Sequence, residues 1–159
     1  MTALRPARIG DAAEIARLAG ELGYPLAEAA VDARLRAILS LPQHRVTVAQ
    51  GGSGNLLGWI AAERRFTLES VERIEIVGLV VDVAARGAGI GRELVRDAEQ
   101  WAIEQGFEAI GVRSNVTREG SHPFYESLGF ARVKTQHAYR KVLRDSVADG
   151  RPAGSRDHG

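Results

Sequence analysis

The chain has 159 residues, of which 45% are hydrophobic and 26% charged, with a formal net charge of +1. That length suits one domain able to bury roughly two thirds of its unfolded surface, and the composition excludes a disordered or fibrous chain. With no cysteine there is no disulfide framework, thiolate metal site or sulfur nucleophile, and the near-neutral, interspersed charge argues against a nucleic-acid surface.

The first residues, Met1 to Pro6, lack the apolar core of a secretory signal, and no run approaches the roughly 18 apolar residues of a membrane span. The expected location is the cytoplasm. A short strand at about Leu4 to Arg8 leads into Asp11-Ala12-Ala13-Glu14, a capping-box-like start, followed by Ile15, Leu18, Ala19 and Leu22 on one helical face. Gly23 marks the end of that helix. After Pro25 a second helix carries Val31, Leu35, Ile38 and Leu39 on one stripe and stops before Pro42, with Asp32, Arg34 and Arg36 facing outward.

Arg45 to Gln50 and Leu56 to Arg65 read as two strands of a hairpin turning through Gly51-Gly52-Ser53-Gly54-Asn55. That glycine-rich loop opens no helix and receives no function. The next strand, about Glu72 to Val83, holds Gly78 in a β-branched run, where glycine weakens the strand but permits a bulge or a close approach. An amphipathic helix then places Ile90, Leu94, Val95, Ala98, Trp101 and Ala102 on its buried face, and that spacing makes Trp101 a core residue.

Between strand and helix stands Arg86-Gly87-Ala88-Gly89-Ile90-Gly91. A strand, a glycine loop and a helix start form a phosphate cradle, because glycine lets the backbone come close and the helix start adds unpaired N–H groups and a positive dipole end. A dinucleotide fingerprint counted from Gly87 fails at Arg92, where its third glycine belongs, and a Walker A loop lacks its lysine at the same position. Gly106 ends the helix, and Phe107 to Arg113 forms the following strand, parallel to the one before it. Ser121-His122-Pro123 opens a short helix that ends at Gly129. Ala131 to Val142 reads as a closing hairpin turning near Gln136-His137. Residues 144–159 have no core pattern and form an expected disordered tail behind a domain of residues 1–143.

Arg86, Gly89 and Gly91 match the pattern Arg/Gln-x-x-Gly-x-Gly/Ala, and Phe124-Tyr125-Glu126-Ser127-Leu128-Gly129-Phe130 follows downstream. Over roughly residues 3 to 142 the chain resembles the GNAT superfamily of N-acetyltransferases. The resemblance implies an α/β fold with a mixed sheet of about six to seven strands, about four flanking helices, and parallel strands splayed at the cofactor site. It implies acetyl-CoA as acetyl donor, released as CoA. Pyrophosphate would lie on the N–H groups of Gly87, Ala88, Gly89, Ile90, Gly91 and Arg92, with Arg86 and Arg92 adding charge. The pantetheine arm would pair with the backbone at Leu79, Val80 and Val81, and the Leu79 N–H would serve as oxyanion donor.

Acetyl transfer to an amine needs a held donor, an unprotonated nucleophile, an oxyanion donor and a proton for the departing thiolate. An alkyl amine of pKa near 10.4 is deprotonated in only about one molecule in a thousand at neutral pH. Glu75 is the candidate general base: it stands where several GNAT enzymes place one, on an otherwise apolar face where burial would raise its pKa toward a useful value. Glu72 and Glu63 are alternatives, with ordered water completing the relay. Tyr125 matches the family tyrosine that protonates the leaving sulfur, and Phe124 and Phe130 read as core. Where many members place an asparagine before that tyrosine, this chain has Arg118, so Asn115 becomes the candidate contact to the CoA arm. His122 reads as a capping-region histidine, and the four histidines show no metal spacing.

The acceptor expected from this resemblance is a primary amine of a small molecule, ahead of a peptide or protein N-terminus. The first two helices, about Asp11 to Ser40, would form much of its wall. The alternative is a non-catalytic acyl-CoA-binding sensor or partner subunit. Homodimers are common in the family; no nucleic-acid or membrane partner is expected.

Overall fold

A computed structural model of the chain describes residues 2–21, 23–69, 72–113 and 121–144. Five strands form one sheet in the order β1-β2-β3-β4-β5: β1 Ala3–Pro6, β2 His44–Gln50, β3 Leu56–Arg65, β4 Arg73–Val81 and β5 Ile110–Val112. The first three pairings are antiparallel; β4 and β5 run parallel, as a strand-helix-strand crossover requires. Helices α1 (Ala12–Glu21) and α2 (Glu28–Ile38) cover one face, and α3 (Ile90–Glu104) covers the other. A fourth helix, α4 (Ser121–Ser127), lies on the α3 side, where Phe124 joins that core.

The apolar periods explain this sandwich. Ile15 and Leu18 of α1 pack with Val31 and Leu35 of α2 onto Val46, Val48, Leu56 and Val80. On the other face Ile90, Leu94, Val95, Ala98, Trp101 and Ala102 pack onto Ile60, Ala62, Ile74 and Ile76. At α1 the capping box expected from Asp11 and Glu14 does not form. Asp11 is buried, accepts the Arg8 N–H at 2.8 Å and pairs with Arg5, while Glu14 accepts the Leu56 N–H at 3.0 Å and binds Arg17. Long-range partners have displaced the local ones.

Between β3 and β4 the register jumps from Ala61 opposite Gly78 to Ala62 opposite Ile76, so Val77 bulges and is 52% exposed. Gly78 answers a second demand. A Cβ there would stand 2.8 Å from Cζ3 of Trp59, so the indole ring occupies the space that any other residue would need.

One expectation fails. Residues 131–142 form no hairpin: the segment 131–144 contains no strand and is exposed throughout, with Val133 88%, Tyr139 93% and Leu143 83% accessible. The sheet of the described residues therefore has five strands and not six or seven. Its apolar positions are sparse and interrupted by Lys134, Arg140 and Lys141, and β5 offers only a three-residue edge centred on Gly111. So little burial does not offset the entropy of ordering a hairpin. Of the expected tail, 144–159, residues 145–159 lie outside the described residues.

Asp97 ties α3 to β2. Its carboxylate accepts from Arg45 at 3.0 and 2.9 Å and from the Thr47 hydroxyl at 2.6 Å, and Thr47 is 1% exposed. Burial opposes the charge, yet the hydrogen bonds from Arg45 and Thr47 outweigh it and hold the carboxyl below its ordinary value. A carboxyl depressed on folding contributes stability above its unfolded pKa, about 3.9, and loses it as pH falls through the lower folded value. Asp97→Asn should therefore cost about 2 kcal/mol at pH 7, a fall in Tm of roughly 5 °C, with the gap from wild type shrinking below about pH 3. Calorimetric melts across that range test it; equal Tm values at pH 7 would remove the contribution.

Candidate functional site

The end of β4 is locked before the glycine loop begins. Asp82 donates its N–H to the Leu57 carbonyl at 2.8 Å, and its carboxylate caps the following 3-10 turn by accepting the Ala84 N–H at 2.9 Å. Arg17 of α1 reaches the same carboxylate at 3.4 Å. Asp82 is not among the site residues expected from the motifs, although an Asp directly after a strand and before a turn is a recognisable cap signal.

Gly87 and Gly89 take φ of +86° and +83°, a left-handed conformation that side chains with a Cβ rarely adopt. Among the described residues a Cβ built at either meets nothing within 4 Å, so both glycines border open space there. Among the described residues the N–H groups from Gly87 to Arg92 have no backbone acceptor; the Glu93 N–H makes the first bond of α3, to Gly89. Arg86, Ala88 and Arg92 are exposed, and Ile90 is buried with its side chain in the core. Six donors at the positive end of a 15-residue helix, flanked by two exposed guanidiniums, fit a pyrophosphate. Gly91 has another duty: its Cβ would lie 3.2 Å from Phe124 Cζ and 3.5 Å from Val81 Cγ2. The third glycine of the motif thus admits α4 against the end of β4, and its backbone alone is free for a ligand.

Beside the loop the two parallel strands part. Their last pair is Ile76 with Val112, whereas β4 continues through Leu79 and Val80 to Val81. Backbone groups of Leu79, Val80 and Val81 that face away from β3 therefore have no strand partner among the described residues. Leu79 and Val81 turn their side chains to the α3 side and Val80 turns to the α1–α2 side.

On α4, Phe124 closes against the loop, and its neighbour Tyr125 is half-buried, edge-on to Phe124 at 5.2 Å and to Phe130 at 5.7 Å. Tyr125 lines a cavity of about 800 Å³ bounded by β5, α4 and residues 128–135. Asn115 and Arg118 lie outside the described residues, as does the side chain of His122.

Glu75 has the expected burial, 3% exposed, but also partners that its apolar neighbours in sequence do not announce. Oε2 pairs with Arg65 Nη1 at 3.2 Å and Arg73 Nε at 3.3 Å, and Oε1 pairs with Arg113 Nε at 2.7 Å. Both oxygens are committed to guanidiniums, which corrects the expectation of a carboxylate isolated on an apolar face. The signal was present in Glu63 with Arg65 and in Arg73 with Glu75: an i, i+2 spacing on adjacent strands puts all four on one face. Glu63 is less enclosed, 28% exposed, with Arg65 Nε at 3.3 Å and His44 Nδ1 at 3.8 Å. Glu72 pairs with Arg64. Among the described residues no cluster of three or more His, Asp or Glu could hold a metal ion, and no helix is long and apolar enough to cross a membrane.

Residues 13–130 match the family model described as acetyltransferase (GNAT) family. The chain is 26% identical over 115 residues to aminoglycoside N(6')-acetyltransferase type 1 of Serratia marcescens, covering 70% of this chain and 79% of that protein. It is 30% identical over 116 residues to glucosamine 6-phosphate N-acetyltransferase 1 of Oryza sativa subsp. japonica, covering 70% and 68%. Among solved structures, an aminoglycoside N-acetyltransferase in complex with CoA superposes with a TM-score of 0.78 at 18% identity, over 89% of this chain and 95% of that one.

Proposed function

Because the chain belongs to the GNAT acetyltransferase family, we propose that it transfers an acetyl group from acetyl-CoA to a primary amine of a small molecule, by direct attack in a ternary complex. The observation that carries this reading is the row of N–H groups from Gly87 to Arg92 that have no backbone acceptor among the described residues, beside the parted edge of β4. Acetyl-CoA supplies an activated acetyl group whose C–S bond breaks as the C–N bond forms.

The residues divide the work by position. Loop N–H groups with Arg86 and Arg92 hold the pyrophosphate, and the free edge of Leu79, Val80 and Val81 pairs with the pantetheine amides as a missing strand would. The Leu79 N–H donates to the oxygen that gains charge at the attacked carbonyl, a donor fixed before reaction and therefore free of reorganisation cost. On the α3 side the Tyr125 hydroxyl gives its proton to the departing sulfur. On the opposite face the proton leaving the amine passes through water to Glu63; Glu75, held by Arg65, Arg73 and Arg113, positions that face.

This division separates two glutamates by experiment. Glu63→Gln should lower kcat/KM about 10²-fold at pH 7 and abolish the acidic limb of its pH profile, as loss of a general base does. Glu75→Gln should instead lower Tm and leave the shape of the profile unchanged. If Glu75→Gln alone reshapes the profile, the base is Glu75 and the relay through Glu63 is wrong. The activity itself is tested by thiol release from acetyl-CoA across a panel of primary amines; release independent of every amine would sink it.

A further inference from the structure

The pairing of β3 with β4 sets Glu63 opposite Glu75 and Arg65 opposite Arg73. The neighbours of Glu75, Ile74 and Ile76, pack into the α3 core, so Glu75 and its alternation partners face the other side of the sheet. On β5, Gly111 lies opposite Glu75, and Arg113, two residues on, shares that face and reaches Glu75. Among the described residues the ion pairs of this face join three guanidiniums to two carboxylates, Glu63 and Glu75. The arginine side chains are not sealed in: they are 31%, 38% and 61% exposed for Arg65, Arg73 and Arg113, around a carboxylate that is 4% exposed.

The cluster stands at the mouth of the gap between β4 and β5. Arg113 directly follows Val112, the last residue paired with β4. Phe124 packs on Gly91 on the α3 side; in the proposed reaction the acceptor enters from the opposite face. A buried carboxylate that fixes three arginines gives a rigid array, and guanidinium forks match the oxygens of carboxylate and phosphate. Glu75 and Leu79 are four strand residues apart, on the order of 10 Å. An anion held by the cluster is therefore several bonds from a nitrogen attacking beside Leu79.

We infer that Arg65, Arg73 and Arg113, anchored on Glu75, select an acceptor that carries an oxyanion, carboxylate or phosphate, distal to its primary amine. The inference rests on the acetyltransferase reading and narrows its acceptor: a polycationic amine meets like charge at this face, and a neutral amine leaves the array unused.

Binding to the CoA-loaded protein tests it without turnover. Calorimetric titration with 6-aminohexanoate against 6-aminohexanamide, and with glucosamine 6-phosphate against glucosamine, separates the carboxylate and phosphate sources. In at least one pair the anionic member should bind 10-fold or more tightly, and that preference should fall below twofold in Arg113→Ala and Arg65→Ala. CoA affinity in Arg113→Ala should match wild type, since Glu75 retains Arg65 and Arg73. Neutral members binding as tightly, a preference that survives both substitutions, or no binding by either anion would overturn the inference. Failure of CoA itself to bind would instead overturn the acetyltransferase reading, so the two failures are distinguishable.

Discussion

Gly89→Val is expected to weaken acetyl-CoA binding by at least 100-fold while leaving a folded protein. Gly89 caps α3 at φ +83° and ψ 8°, where a β-branched residue is a true outlier. Its Cβ would meet nothing within 4 Å among the described residues, so none of them resists the side chain and the core beneath, Ile90 and Leu94, is untouched. The damage falls on the ligand site in two ways. The branched side chain takes the space in front of the loop, and the loop leaves its left-handed turn at a strain cost of about 1–3 kcal/mol, turning donors away from a common point. Titration with acetyl-CoA, paired with a thermal melt, reads both. Gly20→Ala is the control: Gly20 lies in α1, and a Cβ there also meets nothing within 4 Å, so this variant should bind as wild type does. A folded Gly89→Val protein with wild-type affinity would remove the loop from cofactor binding.

Tyr125→Phe should lower kcat by about 10²-fold and change acetyl-CoA affinity only a few fold, the signature of a lost general acid. The substitution removes one oxygen and keeps the ring, so the edge contacts to Phe124 at 5.2 Å and Phe130 at 5.7 Å persist and α4 stays in place. Those contacts matter because Phe124 also closes on Gly91, and a larger truncation such as Tyr125→Ala would confuse loss of a proton donor with loss of the loop wall. Steady-state rates at saturating acetyl-CoA, with thiol release as readout, separate kcat from KM. Unchanged kcat would take Tyr125 out of the chemistry and leave it a packing residue.

What the sequence made legible follows from how local each signal is. The stripe Ile90, Leu94, Val95, Ala98, Trp101 and Ala102 lies within α3, and all six are buried as expected. The strand Leu56–Arg65 is bounded by a glycine-rich turn, and its limits are those expected. The glycine loop is equally local, since left-handed φ is a property of single residues. Features that need distant partners were not visible. Glu75 looks like a carboxylate among apolar neighbours until β5 brings Arg113 to 2.7 Å. Gly91 looks like one more phosphate glycine until Phe124 arrives from a helix far along the chain. The hairpin expected at 131–142 has weak alternation and a short partner, and pattern alone does not weigh burial against chain entropy.

We propose that this loop and the parted strand edge hold acetyl-CoA through both its pyrophosphate and its pantetheine arm. Calorimetric titration of the protein with acetyl-CoA, CoA and adenosine diphosphate tests it most directly. Micromolar binding of acetyl-CoA and CoA, with adenosine diphosphate at least 10-fold weaker, is the predicted result. Equal binding of adenosine diphosphate would mean that the edge at Leu79, Val80 and Val81 contributes nothing, and no binding of acetyl-CoA would overturn the proposed cofactor site from the glycine loop onward.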